Sequence, residues 1–156
     1  MKNLVKFIAA LLVLVLAAGC GPKAGGTGGS GKAGEGESPI FTIEKTVGGK
    51  PVKQQMRGEE GKFGFEEVPF IATQQEKTMW HFFNNPDLPG NKIVITGENQ
   101  DTKETAEIAR VTLSQGMTPG ASASATALML FPTKGLWRID VTIGDKLFGS
   151  ISIRVK

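Results

Sequence analysis

The last twenty residues constrain the fold of this chain more tightly than any other stretch. From Trp137 to Ile143 they read Trp-Arg-Ile-Asp-Val-Thr-Ile, and from Gly149 to Val155 Gly-Ser-Ile-Ser-Ile-Arg-Val. Side chains on a strand point alternately to opposite faces, so Trp137, Ile139, Val141 and Ile143 share one face, as do Gly149, Ile151, Ile153 and Val155. A helix would scatter these residues around its circumference and leave no apolar stripe to bury. Gly144-Asp145-Lys146 between the two runs reads as a tight turn, which predicts a β-hairpin with an apolar row on each strand directed at a core.

Upstream, from Pro39 onward, short β-branched and aromatic runs are cut by Gly, Pro, Asn and Asp. Strands are expected over Phe41–Lys45, Lys62–Phe65, Lys77–Phe83, Lys92–Gly97 and Ala125–Phe131, with the polar stretch Thr46–Gly61 as a loop. Asp101-Thr102-Lys103-Glu104 has the form of a capping box, and Ala106, Ala109 and Leu113 fall at helical spacing. Ala109, Val111 and Leu113 also share a strand face, and the surrounding strands favour a strand from about Glu107 to Leu113. The prediction is an all-β antiparallel sandwich of about 6–8 strands forming a single domain over residues 38–156.

The N-terminal end obeys different rules. Lys2 and Lys6 precede an unbroken apolar run from Phe7 to Ala18 that ends in small residues, the anatomy of a secretory signal. A spanning helix needs about twenty apolar residues, and this run is shorter. Leu16-Ala17-Ala18-Gly19-Cys20 resembles the lipobox of bacterial lipoproteins. That resemblance implies removal of residues 1–19, acylation of Cys20 by palmitate-class chains, and a protein anchored on the extracytoplasmic side of the cell membrane. Acyl chains contribute about 0.8 kcal/mol per buried CH₂, so two or more suffice for stable anchoring. Residues 20–37 then form a flexible linker, with eight glycines among the seventeen residues from Gly21 to Glu37. Gly26 to Lys32 imitates a phosphate-binding loop, but no strand leads into it and Ala33 stands where a Mg²⁺-binding hydroxyl belongs, so no nucleotide is expected.

Loss of the signal also removes Lys2 and Lys6 from the 18 basic residues, leaving 16 against 15 acidic ones. Both signs are interspersed, so the concentrated basic face of a nucleic-acid binder is absent and nucleic acid is not an expected partner. Cys20 is the sole cysteine. The folded part therefore has neither a disulfide nor a thiolate metal site, and its stability has to come from burial.

Candidate contacts concentrate in Met79-Trp80-His81-Phe82-Phe83, which holds the only histidine. Strand alternation sends Met79, His81 and Phe83 to one face and Trp80 and Phe82 to the other. Such a strand is either covered on both sides or exposes one aromatic set, and Trp80, His81 and Phe83 are the candidate ligand or partner contacts. Met79 and His81 are soft-metal donors, yet the spacing of Met56, Met117 and Met129 completes no site, so no metal or other cofactor is expected. Gly120-Ala121-Ser122-Ala123-Ser124 lacks the second glycine of a nucleophile elbow, and any serine hydrolase here would have to use His81 as its base.

Met79 to Phe83, together with Gly135-Leu136-Trp137-Arg138-Ile139-Asp140 and Lys146-Leu147-Phe148-Gly149-Ser150-Ile151, resembles a domain family of Bacillus-type extracytoplasmic proteins of unknown function, over about Lys77 to Lys156. The closing Gly-x-Trp and Gly-Ser strands are also similar to those of immunoglobulin-like domains. These resemblances imply an immunoglobulin-like sandwich and no catalytic residues. The expected function is that of a non-enzymatic, lipid-anchored binding or interaction module with a protein or cell-wall partner. An envelope hydrolase using His81 and a structural envelope or spore component are the alternatives.

Overall fold

The computed structural model describes residues 36–156. The expected signal segment 1–19, the lipidation site Cys20 and the expected linker up to residue 35 lie outside the described residues.

Ten strands, and no helix, occur among the described residues: β1 (Ile40–Val47), β2 (Lys50–Glu59), β3 (Phe63–Glu66), β4 (Gln75–Phe83), β5 (Lys92–Asn99), β6 (Thr105–Thr112), β7 (Ser114–Gln115), β8 (Ala121–Leu130), β9 (Gly135–Ile143) and β10 (Lys146–Val155). They build two antiparallel sheets, one ordered β1-β2-β3-β4-β8-β7 and the other β10-β9-β5-β6, packed as a sandwich. The expected all-β antiparallel sandwich is the fold observed.

The alternating C-terminal runs form β9 and β10, paired from Ile143↔Lys146 around Gly144-Asp145. Trp137, Ile139 and Val141 are completely buried, and Ile151, Ile153 and Val155 nearly so. From the opposite sheet, β3 and β4 bring Phe63, Phe65, Trp80 and Phe82, also without exposure. Phe65 lies 5.0 Å from Trp80 between ring centroids, and Phe131 lies 5.5 Å from Trp137, so aromatic contact continues into β9. Full burial of each large apolar side chain contributes roughly 1.5–3 kcal/mol, which is what holds together a domain with no crosslink.

Room for the rings of β4 comes from its neighbour. Trp80 pairs with Ala125 and Phe82 with Ala123, so each bulky ring lies beside a methyl group. The alternation Ala-Ser-Ala-Ser-Ala-Thr-Ala from Ala121 to Ala127 is thus a strand with its small residues inward. It starts earlier than the expected Ala125, because alanine and serine carry little β-propensity of their own.

One expectation needs correction. Thr46–Gly61 is not a loop: most of it is β2, joined to β1 by Gly48-Gly49, both with positive φ as a two-residue hairpin turn of mirror-image type requires. Lys50, Lys53 and Gln55 of β2 stay exposed, so the strand is held by backbone pairing to β1 and β3 rather than by an apolar row. Asp101 to Glu104 caps no helix. The buried Asn99 organises it as a turn, accepting from the Asp101 N–H at 3.0 Å and donating to Thr133 Oγ1 and the Lys134 carbonyl at 3.1 Å each. The following segment is β6, a strand as expected, beginning two residues before Glu107.

Candidate functional site

Strand β4 lies inside the six-stranded sheet, between β3 and β8, and its Trp80–Phe82 stretch is buried on both faces. Trp80 points into the inter-sheet core with 0% exposure, and its indole N–H donates to Thr78 Oγ1 at 3.0 Å. His81 faces the other way and is still only 2% exposed. Phe83, at the end of β4, is partly buried. Of the three expected contacts, Trp80 and His81 are therefore sealed by the packing that aromatic residues drive, and Phe83 keeps some surface. The density of aromatics in this stretch marks the core.

The register assembles a polar group around His81 that spacing along the chain does not reveal. His81 pairs with Gly64 on one side and Ser124 on the other, while Glu66 shares the face of Gly64. Ser124 Oγ lies 2.9 Å from His81 Nδ1 and accepts the Met117 N–H at 3.0 Å. Glu66 Oε1 stands 3.7 Å from His81 Nε2, beyond hydrogen-bond length, and is held by Lys45 Nζ at 2.8 Å. Nε2 itself has no hydrogen-bond partner among the described residues. The tautomer of the ring decides whether Nδ1 donates to Ser124 Oγ or accepts from it.

A serine, a histidine and a glutamate in contact have the composition of a hydrolytic triad, but the arrangement is not one that can act. Ser124 is completely buried, and its hydroxyl is committed to Met117 and His81. Nothing here provides a nucleophile with open space before it, as attack on a bound carbonyl requires.

Burial pushes the His81 imidazole below the ordinary histidine value of 6.5; the Glu66 carboxylate opposes this shift and Lys45 adds to it. The unfolded chain then binds a proton that the folded chain refuses, so stability falls as pH drops from about 6.5 through the lowered folded value. Urea denaturation of wild type from about pH 7.5 to about pH 5.5 should show a larger loss of stability than His81→Gln over the same interval. Parallel pH dependences would mean that His81 does not titrate against the fold.

A second constellation lies where Glu37 and Ser38 cross from β2 to β10. Arg57 of β2 is 8% exposed, and Glu67, just beyond β3, takes it in a two-pronged ion pair: Nε to Oε2 at 2.8 Å and Nη2 to Oε1 at 2.7 Å. Nη1 donates to the Ser38 carbonyl at 2.7 Å. The Glu67 hydrogen bonds hold the guanidinium above its already high pKa. Beside this pair opens a cleft of about 330 Å³, with Val68, Pro69, Phe70 and Ile153 as apolar wall and Arg154 and Lys156 at its rim. Sequence reasoning missed the pair because it took β2 for a loop. Read as a hairpin, β2–β3 brings positions 57 and 67 to neighbouring strands, and Gly48-Gly49 was the available clue.

Among the described residues, no group of three or more His, Cys, Asp and Glu is placed to hold a metal ion, and no helix is long and apolar enough to cross a membrane. Fold and site together define a two-sheet antiparallel β-sandwich domain with a buried polar strand face and one charged cleft. The chain belongs to the family described as "Domain of unknown function (DUF4871)", which matches residues 34–153. The expected kinship with a family of unknown function is met, and over a longer stretch than Lys77 to Lys156. Among solved structures, the chain is similar to the crystal structure of a "Putative Lipoprotein from Bacillus anthracis", with a TM-score of 0.60 and 22% sequence identity, covering 78% of this chain and 86% of that one. At that identity the likeness is one of fold. No curated protein matches the chain.

Proposed function

We propose that the protein is a lipid-anchored extracytoplasmic binding module, held at a bacterial cell membrane through Cys20 and presenting an immunoglobulin-like sandwich. The lipobox-like Leu16 to Cys20 and the glycine-rich stretch after it support the anchor, and the similar solved structure is itself described as a lipoprotein. The immunoglobulin-like assignment is supported by strand neighbours. β3-β4-β8-β7 and β10-β9-β5-β6 follow the A-B-E-D and G-F-C-C′ orders of that fold, with β1–β2 as an additional hairpin on one edge.

The observation that favours binding over hydrolysis is the contrast between two polar groups. Ser124 and His81, the pair a hydrolase would need, are shut inside the sheet, whereas the cleft beside Arg57 opens to solvent. Direct contact by the aromatic strand falls to Phe83. Fractionation of cells expressing Cys20→Ala tests the anchor: the variant is expected in the medium or soluble fraction. Firm membrane retention with the signal removed would overturn the anchored reading.

A further inference from the structure

We infer that the cleft beside Arg57 is a receptor for a small oxyanion, a single carboxylate or phosphate group carried on a short apolar body. The inference rests on the reading of this domain as a binding module and assigns its ligand class.

Charge supplies the first step. Arg57 is more than compensated within the cleft, since Glu67 grips it at 2.7 Å and Glu37 stands 3.8 Å away. Arg154 and Lys156, by contrast, form no ion pair among the described residues, so two cationic side chains stand free at the rim, while the terminal oxygen of Lys156 is tied back to the Ala72 N–H at 2.9 Å. Two unpaired cations beside a low-dielectric wall attract an anion and disfavour a cation.

Hydrogen-bonding capacity supplies the second. A guanidinium has five N–H groups, and three of those of Arg57 are used, one on each nitrogen. One N–H on each terminal nitrogen remains to donate to a carboxylate or phosphate oxygen. The guanidinium is already fixed, so little side-chain entropy is lost when an anion arrives.

The protein's own Glu37 supplies the third. Its Oε1 accepts the Arg154 N–H at 2.9 Å and lies 3.8 Å from Arg57 Nη1. A carboxylate thus already occupies the mouth of the cleft, and its side chain is 41% exposed and free of the two-pronged grip that fixes Glu67. An incoming oxyanion would take its place or sit beside it, with the apolar body against Pro69, Phe70 and Ile153. A free metabolite and the headgroup of an anionic lipid share this chemistry.

The test is NMR titration of the full mature chain with hexanoate, phenyl phosphate and inorganic phosphate, alongside flotation with vesicles of phosphatidylglycerol. Saturable shifts confined to residues 67–70 and 153–156 are expected with hexanoate and phenyl phosphate, and weaker ones with inorganic phosphate, which has no apolar body. The Arg154→Ala/Lys156→Ala double variant should bind at least about tenfold more weakly, because the cationic rim that attracts the oxyanion is gone. Glu37→Gln should bind about tenfold more tightly, because the competing carboxylate is neutralised. These rim residues lie outside the hydrophobic core, and an unchanged melting temperature confirms that the variants fold. Flotation by unacylated Cys20→Ala that the double variant abolishes would assign the lipid source of the oxyanion; small-anion shifts without flotation would assign the free one. Absence of saturable shifts and of flotation, in wild type and Glu37→Gln alike, would overturn the inference, as would binding indifferent to the double variant. Either result would leave the anchored-module reading to stand or fall on Cys20→Ala.

Discussion

Replacing Trp80 with alanine is expected to cost about 3–5 kcal/mol, a large part of the 5–15 kcal/mol that typically separates folded from unfolded states of a domain. The ring has no exposed surface and lies within 6.4 Å of Phe63, 5.0 Å of Phe65 and 6.5 Å of Phe82 between centroids. Its removal leaves a void beside Ala125, whose methyl group is too small to fill the space. The change also removes the indole N–H that Thr78 Oγ1 accepts, leaving that hydroxyl only its bond to the Ala127 carbonyl. Phe83→Ala, three positions on and partly exposed, should cost distinctly less. Urea denaturation followed by circular dichroism measures both. Equal costs for the two variants, or a Trp80→Ala cost below about 1 kcal/mol, would be incompatible with Trp80 as the centre of the aromatic layer.

Gly58→Ala should be nearly as damaging for a reason that has nothing to do with burial of apolar surface. Gly58 has a φ of 153°, outside the range that side-chain-bearing residues readily adopt. A Cβ there would meet the Phe63 carbonyl oxygen and would lie 2.7 Å from the Gly64 Cα, both backbone atoms in the paired strand. Backbone cannot rotate aside as a side chain can, so β2 and β3 would have to separate where Gly58 pairs with Gly64. Strain of 1–3 kcal/mol and overpacking of similar size suggest a cost of about 2–5 kcal/mol. Gly61→Ala is the control: it too has positive φ, but open space surrounds its Cα. Its cost should stay near the roughly 1–2 kcal/mol of the left-handed backbone alone. If both variants lose the same stability, the close approach of β2 to β3 is not what Gly58 secures.

Legibility in the sequence followed the strength of the local signal. β9 and β10 were readable because Trp137, Ile139, Val141, Ile151, Ile153 and Val155 repeat with the two-residue period of a half-buried strand. β6 was readable against its capping-box disguise because its neighbours were strands. β2 was not, since its residues are polar and its stabilisation lies in backbone pairing, to which side-chain pattern is blind. β7, two residues long, carries no pattern at all.

The candidate sites were harder to read than the fold. Trp80, His81 and Phe83 stood out by composition, but composition does not say whether a strand lies at an edge or between two others. Position between β3 and β8 sealed the first two. The partners of His81 come from β3 and β8, and those of Arg57 from beyond β3 and from the segment leading into β1. Such neighbours are set by register, and a one-residue slip would send each side chain to the opposite face.

By itself, then, the sequence determined an all-β domain and its closing hairpin, because periodicity is written in consecutive residues. Tertiary structure alone decided that Ser124 and His81 meet with almost no exposed surface, and that Arg57, Arg154 and Lys156 line an open cleft. Ser124 and His81 lie 43 positions apart, and Arg57 lies far along the chain from Arg154 and Lys156, so only the pairing of strands brings them together.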